Sequence, residues 1–138
     1  MNWKFKKATH EGLPLMLRYP EALDSAKLKK NYPDLVVLKH CLTKVLSNGL
    51  PEADYNDGLF QFDQAICAAF EVSSVGIPVL IETFGGKRNY YIYTNSEADV
   101  TERIAVLQKN FPQEILKWTL HPDPEWHFIA KYSSEFLK

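Results

Sequence analysis

The amino-acid sequence predicts a single α+β domain, and three observations lead to that prediction. The chain has 138 residues, the usual size of one domain, and its 46% hydrophobic and 24% charged residues are typical of a folded globular protein. Segments of alternating apolar residues, typical of strands, are interleaved with two segments whose apolar residues recur every three or four positions, typical of helices. No repeat or flexible linker divides the chain, so we predict one domain over residues 1–138.

Residues 1–20 predict an N-terminal β-hairpin. Trp3 and Phe5 alternate with lysines, residues 11–12 have the composition of a turn, and a second alternating run ends at Tyr19. This hairpin would either extend an edge of the sheet or cover its open face. Residues 20–33 lack regular apolar spacing, so we expect a loop there with at most one helical turn.

Residues 34–120 predict the order strand, helix, strand, strand, helix, strand. The strands are expected at residues 34–42, 76–84, 89–94 and 114–120. The second helix begins with a capping box at Ser96 and Asp99. The apolar stripes consist of Tyr55, Leu59, Phe62, Ile66 and Phe70 in the first helix and Val100, Ile104, Leu107 and Phe111 in the second.

This βαββαβ order is that of the ferredoxin-like fold, a two-layer sandwich with two helices on one face of a four-stranded antiparallel sheet. Pro78 favours it, because proline cannot donate to a neighbouring strand and the second strand of this plan lies at an edge. Asp123, as a cap, and Pro124 predict the start of a short C-terminal helix over residues 123–138. We expect Trp126 to anchor that helix to the sheet.

Three stretches of the chain carry a resemblance to a known family. They are the N-terminal segment from Trp3 to Arg18, the turn over residues 83–90 with the aromatic strand that follows it, and the closing Asp-Pro-Glu-Trp at residues 123–126. Together they resemble a bacterial family known as Domain of Unknown Function 695. Members of that family have no established activity, and some look like fusions to a domain similar to regulator B of ribonuclease E activity, which acts by binding an enzyme. The resemblance therefore implies a binding or regulatory role.

The turn Gly85-Gly86-Lys87-Arg88 is the first candidate binding site, because glycine amides and two adjacent cations could hold a phosphate or carboxylate. It is not a Walker loop, which requires wider glycine spacing and a Lys-Ser/Thr pair at the start of a helix. Arg18 would join this site if the first hairpin lies nearby. The alternative is a solvated hairpin tip whose positive charge discourages pairing with other strands.

Tyr91 is the last candidate for partner binding. Tyr91 and Tyr93 should face one side of a central strand and Tyr90 the other. RNA-recognition folds stack bases on such a strand, but they need a matching aromatic on the first strand, where this chain has aliphatic residues. The net charge of -1 also provides no general attraction for nucleic acid, so we expect these rings to serve packing.

The sequence predicts no catalytic residues, no metal site and no cofactor. His121, Asp123 and His127 are close in sequence but lack a recognised ligand spacing. Cys41 and Cys67 form no CxxC motif, so we expect two reduced core residues. No apolar run reaches the roughly 18 residues that a membrane span needs, and we expect a cytoplasmic protein without membrane partners.

These observations favour a non-catalytic protein-binding or regulatory domain. The partner would be another protein, or a second copy, engaged through a free sheet edge or through the hairpin at Lys87 and Arg88. One alternative is a small-ligand-binding protein or small enzyme with a basic anion-binding site between the N-terminal hairpin and the sheet, using Arg18, Arg88 and a nearby tyrosine. A second alternative is an RNA-binding domain.

Overall fold

The computed structural model describes residues 2–71 and 74–138, which form six strands and five helices around one sheet. The strands are β1 (Trp3–His10), β2 (Leu13–Pro20), β3 (Asp34–Cys41), β4 (Gly76–Phe84), β5 (Lys87–Thr94) and β6 (Ile115–Pro122). The helices are α1 (Ser25–Leu28), α2 (Ala53–Gly58), α3 (Phe60–Glu71), α4 (Glu97–Asn110) and α5 (His127–Phe136). All strand pairs are antiparallel, in the order β1-β2-β4-β5-β3-β6. Among the described helices, none combines the length and the apolar character needed to span a bilayer.

The predicted α+β class is confirmed, but the order of the complete six-stranded sheet and the number of helices differ from the four-stranded ferredoxin-like plan. The sheet has six strands instead of four, because the β1–β2 hairpin extends it beyond β4. The first predicted helix divides into α2 and α3 around Leu59, and α1 adds one turn before β3. Helix α5 packs on the opposite face of the sheet from α3 and α4, so the two-layer description is also incomplete.

The prediction that Pro78 marks an edge strand is wrong, because β4 pairs with β2 on one side and with β5 on the other. Strand β2 pairs only with residues 81–83 of β4, so Pro78 lies beyond the end of this pairing. The β4–β5 register also shifts between Pro78 and Leu80. The missing N–H of the proline is therefore tolerated inside the sheet, since β2 does not pair with this part of β4.

The two faces of the sheet bury different cores. On the face covered by α3 and α4, here called the α3 face, the core is largely aliphatic and includes the second predicted helix stripe and Phe62, Ile66 and Phe70 of the first. On the other face, here called the α5 face, the buried residues include the large aromatic rings of Tyr93, Trp126 and Tyr132. Trp126 is 1% exposed, its ring stacks on Tyr93 with centroids 4.2 Å apart, and its indole N–H donates to the Tyr32 carbonyl at 2.8 Å. The predicted anchor is confirmed.

The predicted helix caps are confirmed, with one shift in position. The Ser96 hydroxyl accepts from the Asp99 backbone N–H, which is one half of the predicted capping box, while the Ser96 backbone N–H donates to the Thr94 hydroxyl. Helix α5 begins at His127, later than predicted, yet the Asp123 carboxylate accepts from the backbone N–H groups of His127 and Phe128, each at 3.0 Å. Asp123 therefore orders the start of α5 from outside the helix.

Candidate functional site

A cleft of about 640 Å³ lies between the N-terminal hairpin, helices α2 and α3, and the β4–β5 hairpin. The apolar residues that line it are Phe5, Met16, Leu50, Pro51, Leu59 and Phe60. The polar residues that line it are Arg18, Asn56, Asp57, Asp63, Thr83 and Arg88. Phe5 is 57% exposed and Phe60 62% exposed, so large parts of both rings are open to solvent. The cleft thus combines accessible apolar surface with a small set of charged groups.

Arg18, Asp63 and Tyr90 form a connected group in this region. Arg18 of β2 donates to both carboxylate oxygens of Asp63 in α3, through Nη1 to Oδ2 at 2.8 Å and through Nη2 to Oδ1 at 2.6 Å. The Tyr90 hydroxyl donates to the same Oδ1 at 2.6 Å. Burial raises the pKa of Asp63, but the hydrogen bonds from Arg18 and Tyr90 and the charge of Arg88 outweigh it, so this pKa lies below its ordinary value. Asp63 is therefore a carboxylate at neutral pH.

Arg88 of β5 is held by neutral oxygen atoms. It is only 8% exposed, its Nε donates to Thr83 Oγ1 at 2.9 Å, and its Nη2 donates to Asn56 Oδ1 at 2.7 Å. Within residues 2–71 and 74–138, no carboxylate lies within ion-pair distance of Arg88, and its Nη1 has no hydrogen-bond partner. The cleft is therefore lined by a nearly buried guanidinium without a directly bonded counter-charge.

The structure brings together two of the predicted site residues, Arg18 and Arg88, and separates the others. Lys87 and Arg88 are neighbours in β5, so their side chains point to opposite faces of the sheet, and Lys87 is exposed. Gly85 and Gly86 have φ angles of 59° and 81°, which a two-residue hairpin turn requires. The Gly86 N–H already donates to the Gly49 carbonyl at 2.8 Å, so this amide is not available to an anion.

Tyr91 lies on the α5 face, away from the cleft. Its ring stacks on Phe128 with centroids 4.5 Å apart, and its hydroxyl donates to Glu82 at 3.3 Å. Tyr93 is likewise covered by Trp126. The predicted division of the tyrosines between two faces is confirmed. Helix α5 occupies the aromatic surface on which bases would have to stack.

A comparison with protein families matches residues 1–133 to a family described as a family of unknown function, DUF695. The chain belongs to this family. Neither the curated proteins nor the solved structures gave a match. Because the matched range includes every residue that lines the cleft, the candidate site lies entirely within the DUF695 region.

The sequence-based site prediction lacked the DUF695 residues that bond to the two arginines, namely Asp63, Asn56 and Thr83, and it lacked Tyr90, which donates to Asp63. Tyr90 lies two positions after Arg88 in β5, so strand alternation would have placed both side chains on one face. Asp63 follows the stripe residue Phe62, and that spacing indicates a position beside the buried stripe. No local signal pairs Asp63 with Arg18, because β2 and α3 meet only through the tertiary fold.

A second polar pair lies beside Arg88 but does not line the DUF695 cleft. His40 pairs with Arg88 across the β3–β5 ladder, is fully buried, and lies 3.0 Å from Glu114 through its Nε2. Its Nδ1 has no partner within the described part of the chain. Burial lowers the pKa of His40 below its ordinary value, and the charge of Arg88 acts in the same direction, while Glu114 opposes both. His40 is therefore held neutral beneath the site.

The remaining candidates for chemistry do not join the cleft. Burial raises the pKa of the Cys67 thiol to about 12, so Cys67 is protonated, and both Cys67 and Cys41 are free. In the described ranges of this DUF695 chain, no group of three or more His, Cys, Asp or Glu is arranged to hold a metal ion. Asp123 is engaged by Tyr93 and by the start of α5.

Proposed function

We propose that this chain is a non-catalytic binding protein whose cleft takes a small ligand with an apolar body and a polar end. The observation that carries the proposal is the convergence of Arg18 and Arg88 on one cleft of about 640 Å³ that also has six apolar lining residues. Ligand sites typically have volumes of roughly 300–1,000 Å³, apolar walls and a few placed polar groups. The cleft between the hairpin and the sheet meets each of these criteria.

The state of the polar groups favours binding over acid–base catalysis. A general base must accept a proton near the working pH, whereas hydrogen bonds from Arg18 and Tyr90 hold the pKa of Asp63 below its ordinary value. Both oxygens of Asp63 are already used by these donors. The group is therefore suited to fixing the shape and charge of the cleft.

A second candidate ligand is a short segment of a partner protein that enters the cleft. Addition of a strand at β1 is disfavoured, because Lys4, Lys6 and Lys7 lie along that outer strand and charged lysines discourage edge pairing. The exposed rings of Phe5 and Phe60 offer apolar contacts that a partner side chain would cover. A regulatory role would follow if the bound segment belongs to an enzyme.

We also propose that residues 34–122 keep a ferredoxin-like unit, to which the N-terminal hairpin adds two strands. The order β4-β5-β3-β6 within the larger sheet and the packing of α3 and α4 on one face support this proposal. An experimental structure in which these four strands pair in another order would contradict it.

Nuclear magnetic resonance titration with a library of small aromatic and aliphatic acids, amines and alcohols tests the ligand-binding proposal. We expect the largest backbone shift changes around the cleft, at residues such as Arg18, Leu59 and Thr83. Phe60→Ala should weaken the best binder at least about fivefold, because part of a phenyl contact is lost. Val106→Ala, which truncates an exposed apolar residue of α4, serves as the control. Shift changes confined to a second groove between α1 and α5, which is lined by residues such as Ala26 and Ile129, would refute the proposal.

A further inference from the structure

We infer that the ligand of this cleft is a monocarboxylate with an apolar body, and that Arg88 binds its carboxylate. The inference rests on the proposed function of the cleft and names the chemistry of its ligand. It begins with the unusual position of Arg88, a cation that is 8% exposed and that, among residues 2–71 and 74–138, bonds only to the neutral oxygens of Thr83 and Asn56. Charged groups are seldom buried without a counter-charge, because desolvation of an unpaired ion is costly.

Asp63, an acidic group of the cleft, does not pair directly with Arg88. The Asp63 carboxylate accepts two hydrogen bonds from Arg18, at 2.8 and 2.6 Å, and a further one from the Tyr90 hydroxyl. The charge of Arg88 acts on Asp63 only through space. An anion that enters the cleft would therefore supply the first direct ionic partner of Arg88.

The donors that remain on Arg88 suit a carboxylate. A guanidinium has five N–H donors. One on Nε and one on Nη2 are used by Thr83 and Asn56, which leaves two on Nη1 and one on Nη2. Donors on the two terminal nitrogens match the two oxygens of a carboxylate, and this geometry is the preferred one for arginine–carboxylate pairs.

The charges of the cleft favour one negative charge over two. Its charged lining residues are Arg18, Arg88, Asp57 and Asp63, so their formal charges cancel before a ligand binds. A single carboxylate pairs with Arg88 and leaves the cleft with a formal net charge of about −1, whereas a phosphate monoester, which carries about −1.5 to −2 at neutral pH, would add more negative charge facing Asp57 and Asp63 without a further cation. The apolar part of the ligand would lie against Phe5 and Phe60.

This chemistry has two sources, a free organic acid and the C-terminal carboxylate of a peptide that ends in an apolar residue. Isothermal titration calorimetry with 3-phenylpropanoate and with N-acetylphenylalanine distinguishes them, and the matching amides, 3-phenylpropanamide and N-acetylphenylalaninamide, provide neutral controls. For the intact chain we expect at least one acid to bind about tenfold or more tightly than its amide. The tighter of the two acids identifies the source. Phenyl phosphate should bind more weakly than the preferred acid.

Variants locate the effect at Arg88. Arg88→Met should abolish the preference for acid over amide, whereas Lys87→Met, which neutralises the adjacent exposed cation, should leave it unchanged. Arg88→Lys keeps the positive charge but lacks the paired N–H donors of the guanidinium, so it should retain only part of the preference for acid over amide. It is the variant to use if circular dichroism shows that Arg88→Met is unfolded. Circular dichroism of each variant confirms its fold.

Four outcomes would overturn the inference. If an acid and its amide bind in the cleft with equal affinity, the cleft does not recognise the carboxylate, although the proposed ligand-binding function stands. If phenyl phosphate binds more tightly than either acid, the cleft prefers a phosphate over a monocarboxylate. An acid preference that persists in a folded Arg88→Met variant would exclude Arg88 as the receptor. If neither acids nor amides bind at millimolar concentration while other fragments occupy the cleft, the inference fails and the proposed function stands.

Discussion

Both faces of the sheet contain a tyrosine that donates to an aspartate, but the surroundings of the two pairs differ. On the α5 face, Tyr93 donates to Asp123 at 2.7 Å, and Trp126 stacks over the tyrosine ring. On the α3 face, Tyr90 donates to Asp63 at 2.6 Å, and Asp63 borders the cleft. In the first pair the tyrosine ring is covered by Trp126 and the aspartate is bonded to the start of α5, whereas in the second pair the aspartate borders a solvent-accessible cleft.

The difference separates stability from binding. Asp123 orders the start of α5 through backbone N–H groups, so its hydrogen bonds fasten a helix to the sheet. Asp63 instead fixes the guanidinium of Arg18, so its hydrogen bonds set the charge distribution of the cleft. Substitutions on the α5 face should therefore change the free energy of unfolding most, and those on the cleft side should also change ligand affinity.

The largest expected effect is that of Trp126→Ala on the α5 face. Loss of a ring that is 1% exposed should lower the free energy of unfolding by about 3–5 kcal/mol, because the cavity and the lost transfer energy add. Urea denaturation followed by circular dichroism measures it. Trp118→Ala, at a half-buried position of β6, is the control and should cost less. An unchanged free energy in Trp126→Ala would contradict the anchoring role.

The next effect is that of Asp63→Asn on the cleft side. We expect a loss of about 2 kcal/mol in the free energy of unfolding, because the charged hydrogen bonds with Arg18 are weakened and its guanidinium loses its partner. Asp57→Asn is the matched control, since Asp57 is an exposed aspartate of the same cleft, and it should stay within about 0.5 kcal/mol of the parent. Equal losses in the two variants would refute the special position of Asp63.

At acid pH, the difference in the free energy of unfolding between the parent chain and Asp63→Asn should become smaller. The pKa of Asp63 is lower in the folded than in the unfolded chain, so its contribution is complete above the unfolded pKa of about 3.8 and is lost as the pH falls through the folded pKa. Denaturation curves between pH 7 and pH 2 should therefore converge for the two proteins. Asp123, whose pKa is also lowered, should show the same behaviour on the other face when Asp123→Asn is compared with the parent. If the difference in the free energy of unfolding stays constant down to pH 2, the charge of Asp63 does not contribute to stability.

The smallest effect is expected for Lys87→Ala. The side chain of Lys87 is exposed and points away from the cleft side of β5, so the free energy of unfolding should change by less than about 0.5 kcal/mol. Ligand affinity should change less than twofold. A loss of affinity as large as that of Arg88→Met would show that the two cations act together, as the sequence first indicated.

The elements of the fold could be predicted because their signals are local. The stripe from Phe62 to Phe70 and the cap at Ser96 depend on neighbouring residues alone, and both are present in the structure. The place of the N-terminal hairpin depends on pairing between Arg18 and Ile81, which no local pattern specifies. That placement adds β1 and β2 to the sheet and forms one wall of the cleft, so the departure from the ferredoxin-like plan and the missed site residues have the same cause.

Within the site, the error over Lys87 and Arg88 came from treating both as part of the turn. Strand β5 already begins at Lys87, and adjacent residues of a strand face opposite ways. Strand alternation applied from Lys87 onward would have grouped Arg88 with Tyr90 on the α3 face. The bond between Tyr90 and Asp63 could not have been inferred in the same way, because it joins a strand to a helix.

The contact between Gly49 and the β4–β5 turn limits how this cleft can vary among related sequences. A Cβ atom on Gly49 would lie 2.9 Å from the Cα of Gly85, and the Gly49 carbonyl accepts from Gly86. Because Leu50 follows directly and lines the cleft, any side chain at position 49 would displace that wall. Relatives that keep this backbone can change the shape of their cleft through side chains such as Leu50 or Phe60, while the path of the chain at residue 49 stays constant.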